Sequence, residues 1–171
     1  KSRIYAQSRL YVSAVSQWLM HQVEESMLKG IQYRMILNGI DLNVFAPSHK
    51  REARRQLGLP IHAKTVLLIA HNPFKDYEVM MQAIERLEAS RDSELLFVCL
   101  GRTAQDHNLG HGRIVYPGRE RDPRLMARYY SAADVYIHAA KDEAFGKTIA
   151  EAMACGTPVV ATSVGGIPEL V

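Results

Sequence analysis

Cysteine is scarce in this 171-residue chain. Cys99 and Cys155 are the only two, and each sits inside an apolar run, LLFVCL and AEAMACG. Buried free thiols in a reducing compartment fit that placement better than a disulfide or a reactive thiol. Long hydrophobic runs are missing as well. None approaches the roughly 18 residues of a membrane span, and Lys1-Ser2-Arg3 is not followed by the apolar block of a signal peptide. A charge excess of one sign is also lacking: 21 Lys+Arg stand against 18 Asp+Glu, a net +3 with neutral histidine. That balance suits a small anionic ligand as well as nucleic acid and by itself decides nothing. Internal repeats and low-complexity tracts are absent. With 47% apolar and 23% charged residues, the composition is globular, which excludes collagen, coiled coil and disorder. The length fits about one domain with a core of its own. No initiator Met opens the chain, and it stops at Ile167-Pro168-Glu169-Leu170-Val171, which reads as the first turn of a helix. Both ends are therefore expected to be cut from something longer.

The chain switches repeatedly between short apolar runs and helical periodicity. Residues 10–15 read as a strand, 17–29 as a helix with Ser16 as N-cap and Gly30 past its end, and 33–37 as a short strand. A linker follows, closed by Pro47. Residues 48–57 carry Lys50, Arg51, Arg54 and Arg55 on a short helix, for which a solvated face is the default over a nucleic-acid patch. From residue 64 the alternation is regular. Strands are expected at 65–70, 94–100, 113–116, 134–139 and 158–162, and helices at 76–89, from Asp122-Pro123 to about 132, and at 147–155 before Gly156. Apolar strands alternating with helices specify an α/β fold, a Rossmann-like open parallel sheet with helices on both faces. Such sheets bind ligands in the crevice at the carboxyl ends of their strands. The loops there hold most of the glycines. Another class of Rossmann-like enzyme, the dehydrogenases, is disfavoured: no G-x-G-x-x-G follows the first apolar strand, where the sequence is His71-Asn72-Pro73-Phe74-Lys75-Asp76.

The run from Glu143 to Val160, EAFGKTIAEAMACGTPVV, carries the most chemistry. Glu143 lies in the loop before a helix, and Glu151 lies on that helix, about two turns further in than Glu143. Gly146 allows close backbone approach to a ligand. The N–H groups of Lys147 and Thr148 then open the helix, where the partial positive charge suits a phosphate. A diphosphate at the helix end, with polyhydroxyl groups on either side bound by the two carboxylates, fits this spacing.

This run, followed by Val164-Gly165-Gly166-Ile167-Pro168-Glu169, closely resembles the family-4 (group 1) glycosyltransferases of GT-B fold. That family places two Glu with seven residues between them, then an EAMAxGxPVV strand entry and a GGxPE loop. Asn38-Gly39-Ile40-Asp41 with Phe45 and Pro47 resembles the family's interdomain linker. The resemblance covers most of the chain and is strongest from Gly118 onward. It implies residues 1–37 from the end of an acceptor domain, a linker over 38–47, and a nucleotide-sugar-binding domain over 48–171. It implies a retaining, metal-independent hexosyltransferase with no cofactor, using a UDP- or GDP-linked sugar and a carbohydrate or lipid-linked acceptor, without nucleic acid. The location implied is cytoplasmic, with peripheral attachment of a full-length parent to the inner membrane face left open. Glu143 becomes the catalytic-site residue that contacts hydroxyls of the transferred sugar, and Glu151 binds the ribose. Phe145, Gly146, Lys147 and Thr148 offer backbone N–H groups to sugar and phosphate. Lys75 neutralises the diphosphate, and the backbone of Gly118 and Arg119 frames the base.

The sequence departs from the family at three places. The first loop has no Arg before Lys75, and Asp76 stands where Gly is usual, so diphosphate neutralisation either loses a cation or draws on His71 or Arg102. His138-Ala139-Ala140-Lys141 replaces a common Pro-Ser. Lys147 stands where an apolar residue or Asn is frequent. A non-catalytic nucleotide-binding or interaction domain of the same descent is the alternative function. As an isolated chain, weak donor binding without transfer is expected, with residues before about 38 poorly anchored or packed in a way unlike the family's. His107 and His111, four apart, lack a nearby third ligand and point away from a metal site. His138 reads as a satisfied core or crevice histidine.

Overall fold

The computed structural model describes residues 1–71, 74–89 and 94–171. Asn72 and Pro73 of the first loop lie outside the described residues. The elements run α1 (Ser2–Ala6), β1 (Tyr11–Ala14), α2 (Gln17–Glu24), β2 (Gln32–Met35), α3 (Lys50–Gln56), β3 (Lys64–Ile69), α4 (Tyr77–Ala89), β4 (Leu95–Leu100), β5 (His107–Leu109), β6 (Gly112–Gly118), α5 (Pro123–Ala132), β7 (Val135–His138), α6 (Lys147–Ala154) and β8 (Val159–Ala161), with a final 3-10 turn at Ile167–Glu169.

Two sheets form. β1 and β2 make a parallel pair, and the main sheet has the order β5-β6-β4-β3-β7-β8. All its pairings are parallel except β5 on β6. The chain winds outward from β3 in both directions, so strand order reverses there and opens a crevice at the strands' carboxyl ends. Side chains alternate across the sheet as the two-residue period requires. Leu67, Ile69, Leu96, Val98 and Leu100 pack with Ala127, Tyr130, Ile149 and Ala152 of α5 and α6. Val66, Leu68, Leu95, Phe97 and Cys99 pack with Met80 and Ile84 of α4. Burial on both faces is why β3 and β4 read as unbroken apolar runs.

Three features differ from expectation. The stretch between β4 and β6 holds an extra strand, β5, which turns back on β6 as a hairpin. Its three residues, HNL, are too short and polar to show strand periodicity. α2 ends at Glu24, well before Gly30. The charge run on α3 is not simply a solvated face. Arg54 is buried, donating to the carbonyls of Ala132 and Ile61 and to Asp134 at 2.8–2.9 Å. Asp134 also accepts from Lys50 and from the Thr65 N–H. Lys50 and Arg54 therefore tie α3 to the starts of β3 and β7.

Both cysteines are buried and free. Burial pushes each thiol up to about 11, so neither ionises readily at neutral pH. Among the described residues, no helix is long and apolar enough to cross a membrane.

Candidate donor site at the carboxyl edge of the sheet

The site is assembled by loops that bind one another. The loop after β3 pairs with the loop after β7: Asp76 N–H donates to the Ala139 carbonyl at 3.0 Å and Lys141 N–H to the Phe74 carbonyl at 2.9 Å. The Gly165-Gly166 turn closes over the Glu143 loop, with Gly166 N–H donating to the Glu143 carbonyl at 2.9 Å. Gly165 has φ +56°, and a Cβ there would lie 2.0 Å from the Glu143 carbonyl oxygen. These glycines therefore serve to seat the Glu143 loop against protein backbone.

Gly146 precedes α6 at its N-cap, with a left-handed φ of 88° and no side chain to cap the helix. The N–H groups of Lys147 and Thr148 open that helix and have no intrahelical acceptor. Thr148 lines a cavity of about 520 Å³ together with His71, Gly101, Arg119, Glu120 and Glu151 among others. Of the residues expected from sequence, Arg119, Thr148 and Glu151 share this cavity. Lys75 and Glu143 form a neighbouring cluster. Gly118 ends β6, with its carbonyl accepting from the Gly101 N–H at 2.8 Å. Phe145 is buried. Lys147 is exposed, its Nζ 3.9 Å from Glu151 Oε1.

Glu151 is held from inside, where Tyr130 donates its hydroxyl to Oε2 at 2.9 Å. Burial pushes the Glu151 carboxyl upward, against the pull of Tyr130 and Lys147. Lys75 has a side chain only 5% exposed and donates to Glu143 Oε2 at 2.7 Å; its Nζ lies over the His138 ring, 2.9 Å from Nε2 and 3.5 Å from Nδ1. His138 and Lys75 together hold the Glu143 carboxyl down to about 2. The imidazole lies 3.6 Å from Oε2, so the lysine is the partner within hydrogen-bond distance. His138 itself is pushed below the ordinary histidine range, chiefly by burial and also by Lys75. Partial burial, then Lys75 and Arg119, lower His71 too.

His138 is indeed a satisfied crevice histidine, but what it satisfies is the site. Tyr136 and Tyr130 were not legible as site residues. Their only sequence signal is a phenol in an otherwise aliphatic strand and helix face. Arg102 does not line the cavity; its guanidinium lies over the Tyr77 ring, 4.0 Å from the centroid. His107 stacks near Tyr116, and no group of three or more metal-ligating side chains occurs among the described residues.

The family model described as glycosyl transferases group 1 matches residues 63–171. A D-inositol 3-phosphate glycosyltransferase of Thermobispora bispora is 34% identical over 145 residues, covering 75% of this chain and 34% of that protein. Sucrose-phosphate synthase from Thermosynechococcus elongatus superposes with a TM-score of 0.77 at 29% identity, over 92% of this chain and 41% of that one. Anabaena HepE, solved with UDP and glucose, has the same fold, with a TM-score of 0.70 at 24% identity over 94% of this chain and 46% of that one. The chain spans about a third of the length of the curated relatives it matches.

Proposed function

The chain belongs to the group 1 glycosyl transferases, and on that premise we propose that it is the donor-binding part of a retaining enzyme that transfers a sugar from a nucleotide-diphosphate donor to a carbohydrate or lipid-linked acceptor. One observation carries this reading: Thr148, in the first turn of α6, and the buried Glu151 line the same cavity at the carboxyl edge of the sheet. The helix end suits the diphosphate. Glu151 accepts from the ribose hydroxyls, and Gly118 and Arg119 frame the base. Lys75 supplies a cation for the diphosphate, while Glu143 accepts from hydroxyls of the transferred sugar. Negative charge developing on the leaving diphosphate is met by these fixed donors, and positioning with charge stabilisation dominates the step. The donor's own phosphate oxygens assist the acceptor's deprotonation in a front-side displacement. The charge on the donor is met without a metal or cofactor.

Calorimetric titration with UDP, GDP, UDP-glucose and GDP-mannose tests the reading. Saturable binding is expected for donors of one base. Loss of a charged hydrogen-bond acceptor in Glu151→Ala weakens it by about tenfold or more. A folded chain that binds none of the four overturns the proposal. Loss of transfer in a full-length parent carrying Glu143→Ala separates the enzyme from a non-catalytic binding domain.

A further inference from the structure

The start of α2 and the loop that carries Glu143 meet at one residue, Gly166. A Cβ on Gly166 would lie 2.4 Å from the Ala144 carbonyl oxygen and 2.9 Å from the Ser16 Cβ. Ser16 is the N-cap of α2; it is 1% exposed, and its hydroxyl accepts from the Leu19 N–H. The helix start and the loop after β7 are therefore packed against the same point of backbone.

Hydrogen bonds extend this contact in both directions. The Gly166 N–H donates to the Glu143 carbonyl at 2.9 Å, and the Gly166 carbonyl accepts from the Glu169 N–H at 3.2 Å. The Glu169 carboxylate then accepts from the N–H groups of Gln17 and Trp18, at 2.8 Å each. Those two N–H groups open α2 and have no intrahelical acceptor, and the negative charge complements the helix dipole. Ile167, inside the turn that joins Gly166 to Glu169, is 2% exposed and packs in the core. A close-packed turn of this length transmits a shift at one end to the other. Upstream, Thr162 Oγ1 accepts from the Ala140 N–H at 3.0 Å, so the segment from Thr162 to Glu169 is tied to the loop after β7 at Ala140 and at Glu143.

The Glu143 side chain is aimed by that backbone. Its Oε2 accepts from Lys75 at 2.7 Å and lies 3.6 Å from His138 Nε2. A displacement of about 1 Å takes the Lys75 bond out of hydrogen-bond reach. We propose that Ser16 and Glu169 are positioning residues for Glu143: through Gly166, the start of α2 holds the Glu143 loop where its carboxylate meets Lys75. The consequence for sugar binding rests on the donor-site reading above. α2 thereby shapes a site whose cavity is lined only by residues from Ile69 to Glu151.

Carboxyl ¹³C titration of Glu143 in the ligand-free chain, with amide exchange over Gln17–Glu24 in the same samples, tests the coupling. Glu169→Ala is expected to quicken exchange in α2 and to raise the Glu143 midpoint by about half a unit, because the carboxylate spends less time on Lys75. Glu169→Gln keeps one acceptor for the two N–H groups and is expected to fall between; it carries the test if the alanine variant does not fold. Quickened exchange in α2 with an unchanged Glu143 midpoint overturns the proposal, and so does a variant that changes neither. Titration with UDP, UDP-glucose, GDP and GDP-mannose supplies the second arm. In Glu169→Ala the loss is expected to fall on the sugar, about threefold, with the affinity for the bare nucleotide kept within about twofold. Equal losses for nucleotide and nucleotide sugar overturn the role assigned through Glu143. A folded wild type that binds none of the four overturns the donor-site reading alone, since the carboxyl titration reads the coupling without a ligand.

Discussion

Lys75 donates to the Glu143 carboxylate and lies against the His138 ring. The carboxyl of Glu143, at about 2, lies below its ordinary 4.5. A carboxyl lowered in the folded state stabilises that state fully above its ordinary value. The contribution falls away as the pH drops through 4.5 and is gone below about 2. Acid therefore loosens the Glu143 loop in that window. Lys75→Met is expected to raise the Glu143 midpoint by at least about one unit, read by carboxyl ¹³C titration. It is also expected to lower stability at neutral pH by about 1–3 kcal/mol, since a half-buried carboxylate loses a charged donor. An unchanged midpoint would show that the lysine does not govern this group.

At the scale of elements, the site depends on how closely three loops approach. The Gly165 turn lies against the Glu143 backbone with no room for a Cβ, which would sit 2.0 Å from a carbonyl oxygen. Relief requires moving backbone, and the φ of +56° adds strain for any other residue. Gly165→Ala is expected to destabilise the fold by about 2 kcal/mol or more and to weaken nucleotide binding by displacing the start of α6. Urea unfolding and titration measure the two effects. A variant with unaltered stability would mean that the turn and the Glu143 loop are not packed as described.

For the molecule as a whole, the question is how the β1-β2 pair and α2 are joined to the main sheet. Glu169, at the far end of the chain, accepts from the N–H groups of Gln17 and Trp18, both at 2.8 Å. Ser16 is buried beside Gly166, whose Cβ would lie 2.9 Å from that of Ser16, and its side chain accepts from the Leu19 N–H. The start of α2 is thus anchored, which corrects the first of the two expectations for the residues before about 38, loose anchoring, and does not touch the second, packing unlike the family's. A carboxylate on two free N–H groups also complements the helix dipole. Glu169→Ala is expected to cost about 1–2 kcal/mol locally. Amide exchange should quicken over Gln17–Glu24 while β3 and β4 keep their protection. Equal protection of α2 in the variant would show that the anchor lies elsewhere.

The sequence by itself determined the alternating elements from residue 64 onward, because β3 and β4 are buried on both faces and must be apolar throughout. It also placed Glu143, Gly146, Thr148 and Glu151 around one helix start, because their spacing is local. It did not reveal β5, whose polar residues are held by pairing with β6. Nor did it show that Arg54 is buried, since a basic residue on a short helix looks the same whether solvated or clamped to Asp134, 80 residues away. Tertiary structure alone decided that Lys75 meets Glu143 and His138 across 68 and 63 residues, that Tyr136 lies between His138 and Thr148, and that Glu169 caps α2. Each depends on where separate loops converge at the switch in strand order. Periodicity reports which face a residue occupies, and only the assembled sheet sets what it meets there.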